Sequence, residues 1–330
     1  MVIVFETKPA ILACAAVAGP LEKRSVFKSY FDNILEDERF QENTNEKGQM
    51  ALIQEACQTL LKKADVKNLD IDYFLSGDLV NQMTPTNFAA RELAVSFIGL
   101  FSACATAVSS VIIAGLLTEL GASNFAIAGA SSHHNATERQ FRYPIEYGAQ
   151  KPATAQWTVT AAGFALVGKY HKGMPYMAAA TVGKVVDYGQ DDPFHMGGAM
   201  APAAYSTITT HLKKRNQKIR DYDVIFTGDL GKIGMKLLKA MLAEDGIKND
   251  ELNILRDAGE EYFGEDVRFQ AGASGAGCSA SVFFSYVDLQ LRTGRYKKVL
   301  LVATGALLSP LSYQQGETIP CTAHAVEIIV

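Results

Sequence analysis

The words Asp72-Tyr-Phe-Leu-Ser-Gly-Asp-Leu79 and Asp223-Val-Ile-Phe-Thr-Gly-Asp-Leu230 share their two aspartates, their glycine and their closing leucine. Downstream of each word comes a small-residue turn with a cysteine, a helical stretch and a strand ended by glycine. The first series runs from Ser102-Ala-Cys104 to Gly129, the second from Ala276-Gly-Cys278 to Gly305. Self-similarity of this kind marks a duplicated unit. Asp78 precedes Cys104 by 26 residues and Asp229 precedes Cys278 by 49, so an insertion separates the copies. Two related halves, about 1–170 and 171–330, are the simplest account.

Each half reads as α/β. Tyr73–Gly77, Phe125–Gly129, Val224–Gly228 and Val299–Gly305 are β-branched or aromatic runs closed by glycine, the pattern of buried strands. Between them, Gln49–Ala64, Cys104–Leu120, Met235–Glu244 and Ala280–Thr293 carry apolar residues at helical spacing. Strands alternating with helices of this length predict a sheet covered by helices on both faces. A chain of 330 residues with 48% hydrophobic and 20% charged residues has ample material for such a core.

Charge and cysteine content exclude several function classes. The net charge is −4 with the basic residues spread along the chain, which argues against a nucleic-acid partner. The five cysteines form no Cys-x-x-Cys pair and suit a reducing compartment. The uncharged run Ala94–Thr118 raises the question of a membrane span, but its serines, its two glycines and the lack of flanking aromatic and basic anchors favour a buried helix. The chain is thus expected to be soluble.

Cys104 is the sharpest chemical candidate. A thiol at a helix start meets unpaired N–H groups and the positive end of the helix dipole, which favour the thiolate and make the place an anion site. The competing reading is a cysteine packed as a small hydrophobe. Asp78 and Asp229 each follow a strand and a glycine, where α/β folds place ligand groups and where aspartates also cap the next helix. Because the aspartate occurs twice, at least one copy is expected to be structural. Neither His133-His134-Asn135 nor Asp187, Asp191, Asp192 and His195 has a convincing ligand spacing, so no metal site and no cofactor are expected.

Duplicated halves with a cysteine opening a central helix resemble the thiolase superfamily, which includes the ketoacyl synthases. More closely, Gly77-Asp-Leu-Val-Asn-Gln82, Ser131-Ser-His-His-Asn-Ala-Thr-Glu-Arg-Gln-Phe-Arg-Tyr-Pro144, Asp192-Pro193, Gly198-Ala-Met-Ala-Pro-Ala-Ala204, Ala303-Thr-Gly-Ala-Leu-Leu-Ser-Pro310 and Ile319-Pro-Cys321 resemble the stage V sporulation protein AD family. The resemblance implies a layered αβαβα thiolase-like fold and a homodimer. It also implies a subunit that binds dipicolinic acid, with calcium, and supports its uptake into the developing spore. Such a protein would be cytoplasmic or peripheral at the spore inner membrane, beside membrane-embedded partner subunits.

The same resemblance puts the ancestral nucleophile at Cys104. It sets Gly228-Asp229-Leu230 and Ala273-Ser274-Gly275 where related condensing enzymes carry a histidine and an asparagine. An ionised carboxylate is no oxyanion donor, so condensing activity is not expected to be retained. The alternative is a ketoacyl-synthase-like acyltransferase using Cys104. Cys321 matches the place of the second thiolase cysteine. His324, three residues on, falls on the opposite face of a strand and either lines the pocket or packs in the core. Arg139 and Arg142 have the planar donors that a flat aromatic dianion calls for. The ligand-binding candidates are therefore Cys104, Asp229, Ser274, Cys321, His324, Arg139 and Arg142.

Overall fold

The structure, a computed structural model, describes residues 1–141 and 151–330. Arg142 thus lies outside the described residues. The first half contributes β1 (Ala10–Ala18), β2 (Tyr73–Gly77), β3 (Phe97–Gly99), β4 (Phe125–Ser132) and β5 (Ala161–Gly168). The second contributes β6 (Tyr176–Val182), β7 (Val224–Thr227), β8 (Leu255–Asp257), β9 (Lys298–Ala306) and β10 (Cys321–Ile329). Their spatial orders match: β1-β5-β4-β2-β3 and β6-β10-β9-β7-β8. β2 runs parallel to β3 and β4, and β5 antiparallel to β4 and β1. β7, β8, β9, β10 and β6 repeat these directions. The two sheets join where Ala10 pairs with Tyr176, and the N-terminal segment Val2–Val4 of the first half adds an antiparallel strand along Ala179–Thr181 of β6.

The helices fall into three layers around these sheets: α1 (Asn45–Ala64), α2 (Thr84–Leu93), α3 (Thr106–Glu119), α4 (His134–Phe141), α5 (Met196–Arg215), α6 (Gly231–Glu244) and α7 (Ala276–Val282). Strand alternation assigns the layers. On β1, Ala13, Ala15 and Val17 pack with Leu52, Leu60 and Leu93 of α1 and α2, whereas Cys14, Ala16 and Ala18 face the central helices. On β10, Cys321, Ala323 and Ala325 pack beneath α5 and α6, and Val326 and Ile328 face the centre. The central layer holds α3 and α7, which continues through a π turn at Phe283–Val287 into Asp288–Arg292. Pressed by sheets on both sides, α3 is uncharged until Glu119 and turns its small hydroxyls inward with its aliphatic residues, and no helix among the described residues is long and apolar enough to cross a membrane.

The duplication reaches beyond the repeated words. Asn45 and Ala64 bound α1 as Met196 and Arg215 bound α5, at the offset of 151 that relates Asp72 to Asp223. Asp72 accepts hydrogen bonds from the Asn124 and Phe125 amides at 2.6 and 3.2 Å, and Asp223 from those of Lys297 and Lys298 at 2.6 and 2.9 Å. Both tie the start of one strand to the start of its neighbour. The cysteines are less alike. Cys104 lies in the turn before α3, whereas Cys278 sits inside α7, fully buried, its thiol donating to the Gly228 carbonyl at 3.6 Å.

Candidate functional site

The turn that presents Cys104 is held under strain. Ala103 adopts φ +48°, a left-handed conformation that costs a non-glycine residue on the order of 1 kcal/mol. The Ala105 amide donates to the Ser102 carbonyl at 3.0 Å, and the Thr106 hydroxyl donates to the Ala103 carbonyl at 2.7 Å. β9 closes against the turn so tightly that a Cβ on Gly305 would stand 2.1 Å from the Ser102 carbonyl oxygen. From the central layer, Ser279 of α7 donates to the Cys104 carbonyl at 3.3 Å. Both halves therefore fix the cysteine.

Asp229 is fully buried behind this turn. Its Oδ2 accepts from the Ser274 hydroxyl and the Gly275 amide, each at 3.0 Å, and its carboxyl also takes a hydrogen bond from the Cys104 thiol. Burial pushes its pKa up to about 7, against the three hydrogen bonds that favour the charged form, and the nearby Asp257 charge adds to the rise. The capping role open to an aspartate here is filled by Asp257. That carboxylate accepts from the amides of Leu230, Gly231 and Glu260 and from the Thr227 hydroxyl, at 2.7–2.9 Å. Asp78, the counterpart in the first half, is itself the cap: its two oxygens accept from the Val80 and Thr86 amides at 2.7 and 3.0 Å and from the Thr86 hydroxyl.

A pocket opens at Cys104 between the halves. Leu79, Ala103, Thr137, Glu138 and Thr158 line it from the first, and Met196, Ser274, Gly275, Ala306 and Leu308 from the second. It is narrow, with about 20 Å³ open to the centre of a water molecule, the room of one or two waters. The Thr158 hydroxyl donates to Glu138 at 2.7 Å, and the Lys151 ammonium stands 3.7 Å from the same carboxylate. The Thr137 hydroxyl is buried without a hydrogen-bond partner.

Of the candidate residues, the structure brings together Cys104, Asp229 and Ser274. Arg139, the next residue along α4 from Glu138, points outward and pairs with Glu46 at 2.6 Å on the surface. Cys321 is sealed beneath α5, and His324, on the other face of β10, accepts from the Gly183 amide at 3.2 Å. Neither lines the pocket, and burial lowers the His324 pKa, in keeping with a neutral ring. His133 meets the Glu38 carbonyl at 2.6 Å, while His134 stacks on Trp157 at 4.1 Å. Asp187 and Asp192 satisfy nearby loop amides, and no group of metal-ligating side chains forms among the described residues. Sequence reasoning missed Thr137, Thr158 and Met196 as pocket residues. It grouped Glu138 with a surface loop, because only the 100° step of a helix separates it from the exposed Arg139.

The duplicated five-layer fold and the cysteine at its central helix define a thiolase-like protein. Solved structures agree across nearly the whole chain. A variant of OleA from Xanthomonas campestris matches with a TM-score of 0.63 at 13% identity, covering 99% of this chain and 100% of that one. Human mitochondrial 3-ketoacyl-CoA thiolase matches at 0.62 and 9%, covering 99% of each. The 3-oxoacyl-[acyl-carrier-protein] synthase III of Aquifex aeolicus matches at 0.57 and 11%, covering 98% of this chain and 100% of its own. Within that fold, the chain belongs to the stage V sporulation protein AD (SpoVAD) family, whose sequence profile matches residues 1–329. The stage V sporulation protein AD of Bacillus subtilis (strain 168) is 42% identical over 327 residues, covering 98% of this chain and 95% of that protein.

Proposed function

We propose that the Cys104 pocket is a non-condensing binding site for dipicolinic acid together with calcium, supporting uptake of that ligand into the developing spore. The observation that carries the reading is the Asp229 carboxyl against the Cys104 thiol. A condensing cysteine needs an imidazole to take its proton and a donor for the oxyanion. Among the described residues no histidine lines the pocket, and a carboxyl neighbour, protonated or ionised, carries no positive charge to stabilise a thiolate nucleophile. The pocket remains although those partners are gone.

Its wall suits a calcium chelate better than a free dianion. Glu138 and the hydroxyls of Thr137, Thr158 and Ser274 are hard oxygen donors of the kind calcium takes, whereas a bare dianion would face the Glu138 carboxylate. Entry of a planar aromatic requires the pocket to widen, and Met196 is the flexible part of its rim. Calorimetric titration with dipicolinate, with and without calcium, is expected to give saturable binding that calcium strengthens and Ser274→Leu abolishes. Absence of binding in both arms would remove the reading. Acyl transfer is tested separately by mass spectrometry after incubation with acyl-CoA, where a thioester on Cys104 would restore it.

The open edge strand β3 supports a homodimer, since Ile98 and the adjoining Phe101 and Phe88 are 37%, 52% and 45% exposed. Sedimentation is expected to give twice the chain mass, and a monomer for Ile98→Lys.

A further inference from the structure

Among the described residues, Glu138 is the one charged side chain on the wall of the Cys104 pocket, and a cation stands behind it. The Glu138 side chain is 3% exposed, and its Oε1 accepts from the Thr158 hydroxyl. Its Oε2 lies 3.7 Å from the Lys151 ammonium, which does not itself line the pocket. That separation balances charge without a hydrogen bond of ordinary length. Trp157 places the ammonium, which overlies its ring at 4.4 Å from the centroid. His134 stacks on the same indole at 4.1 Å with the planes 7° apart, and Phe269 meets it edge-on at 5.5 Å. The Gln270 side-chain amide holds the backbone, donating to the Lys151 carbonyl at 3.3 Å. One more polar group faces the pocket: the hydroxyl of Thr137, a residue 3% exposed, has no hydrogen-bond partner among the described residues.

We propose that Lys151 is a specificity-determining residue: by cancelling the Glu138 charge it makes the pocket refuse free calcium, so that the site selects the neutral calcium chelate over either of its charged components. The inference rests on the reading of the pocket given above. Dipicolinate carries two carboxylates, so its one-to-one calcium chelate has no net charge. Free dipicolinate meets the Glu138 carboxylate on the wall. Free calcium meets a carboxylate already neutralised, with a like charge behind it, and has to exchange its water for hydroxyls that carry no charge. The chelate is repelled by neither member of the pair, and its metal keeps the dipicolinate oxygens while gaining Glu138 and the hydroxyls of Thr137 and Thr158. A like charge set against the wrong ligand is a source of specificity, and burial leaves it weakly screened. The dimensions require such a device. The empty pocket, with about 20 Å³ open to the centre of a water molecule, has room for a bare cation before it has room for an aromatic ring, so size would admit calcium alone and charge has to exclude it.

The test titrates the full chain by calorimetry with calcium chloride alone and with calcium dipicolinate, following the emission of Trp157, the single tryptophan, as a second readout of the ammonium above it. The native chain is expected to bind the chelate with a change in emission and to give neither saturable heat nor an emission change with calcium chloride. Lys151→Met, which keeps the length of the side chain over Trp157 and removes its charge, is expected to gain about tenfold in affinity for calcium alone while its affinity for the chelate moves less than about threefold. Lys151→Arg is expected to keep the native preference, and Glu138→Gln added to Lys151→Met to abolish the gain. A native chain that binds calcium chloride as tightly as the chelate overturns the inference whether or not the variants fold. So does a folded Lys151→Met chain whose calcium affinity is unchanged, or a gain that survives Glu138→Gln, and in both cases the chelate still binds and the reading of the pocket stands. No binding of dipicolinate with or without calcium removes that reading and this inference together.

Discussion

Asp78 and Asp229 hold one place in the two halves, and the fold uses them differently. In the first half the aspartate after the strand caps the next helix with both oxygens, a purely structural task. In the second, Asp257 at the end of β8 takes over that task, and Asp229 turns to Ser274, Gly275 and the Cys104 thiol. The strand register shows what changed: Asp257 pairs with Thr227 as Gly99 pairs with Ser76, so a carboxylate stands where the first half has a glycine. One residue gained on a neighbouring strand released another for the pocket. The Asp72 and Asp223 staples, by contrast, kept their task in both copies.

The most damaging way to break the contrast is Asp257→Ala. It removes the partner of the buried Leu230 and Gly231 amides and of the partly buried Glu260 amide, at about 1 kcal/mol each or more, while the Thr227 hydroxyl keeps the Arg256 carbonyl at 3.1 Å, and urea denaturation is expected to give a loss of about 3 kcal/mol. A loss below about 1 kcal/mol would mean that Asp229 can resume the cap.

Proton linkage separates the two aspartates next. Burial raises the pKa of Asp229 to about 7 and of Asp78 to about 6. Each native carboxyl then keeps a proton that the unfolded chain has already released, so stability falls as pH rises from about 4 to about 7 for Asp229, and to about 6 for Asp78. Glu22, raised by burial to about 8, adds to the same trend. Asp229→Asn is expected to flatten the pH dependence by roughly 4 kcal/mol between pH 4 and pH 8, measured by denaturant unfolding at several pH values. An unchanged slope would show that Asp229 is ionised throughout.

At a single neutral pH the same substitution sorts them by geometry. Both Asp78 oxygens accept from backbone amides, so Asp78→Asn sets an amide donor against a buried donor and costs about 2 kcal/mol. The Asp229 backbone and hydroxyl donors converge on Oδ2, so Asp229→Asn keeps those two bonds and costs under about 1 kcal/mol. Equal costs would erase the distinction.

Much of this was legible in the sequence, because the repeated words are strand ends, where glycine and aspartate leave an audible pattern. β2, β4, β7 and β9 stood out as β-branched runs closed by glycine. β3 and β8, three residues each, were too short to carry a period, and α5 hides its helix behind glycines, alanines and Pro202. The place of Cys104 could be read from its small neighbours, as could the opposite facing of Cys321 and His324 from strand alternation. The work of Asp257 could not, since it acts through the pairing of its strand with Thr227, 30 residues earlier. Nor could the outward turn of Arg139, which depends on where α4 begins.

The finest difference between the halves sits at equivalent helix ends. α1 closes on Asp65 and α5 on Asn216, with φ +53° and +52°, each amide bonding back into the last turn. Asparagine tolerates this left-handed conformation well, and it brings no negative charge to the negative end of a helix dipole. Asp65→Asn therefore makes the first half resemble the second and is expected to stabilise the chain by about 0.5 kcal/mol, more at low salt than at high. Asn216→Asp is expected to cost less than that gain, because Lys213, Lys214 and Arg215 in its last turn already offset an added charge, whereas α1 offers only Lys62 and Lys63. Thermal melts at low and high salt decide the matter: a salt-independent effect assigns it to backbone preference, and equal and opposite changes at the two sites would show that the neighbouring cations play no part.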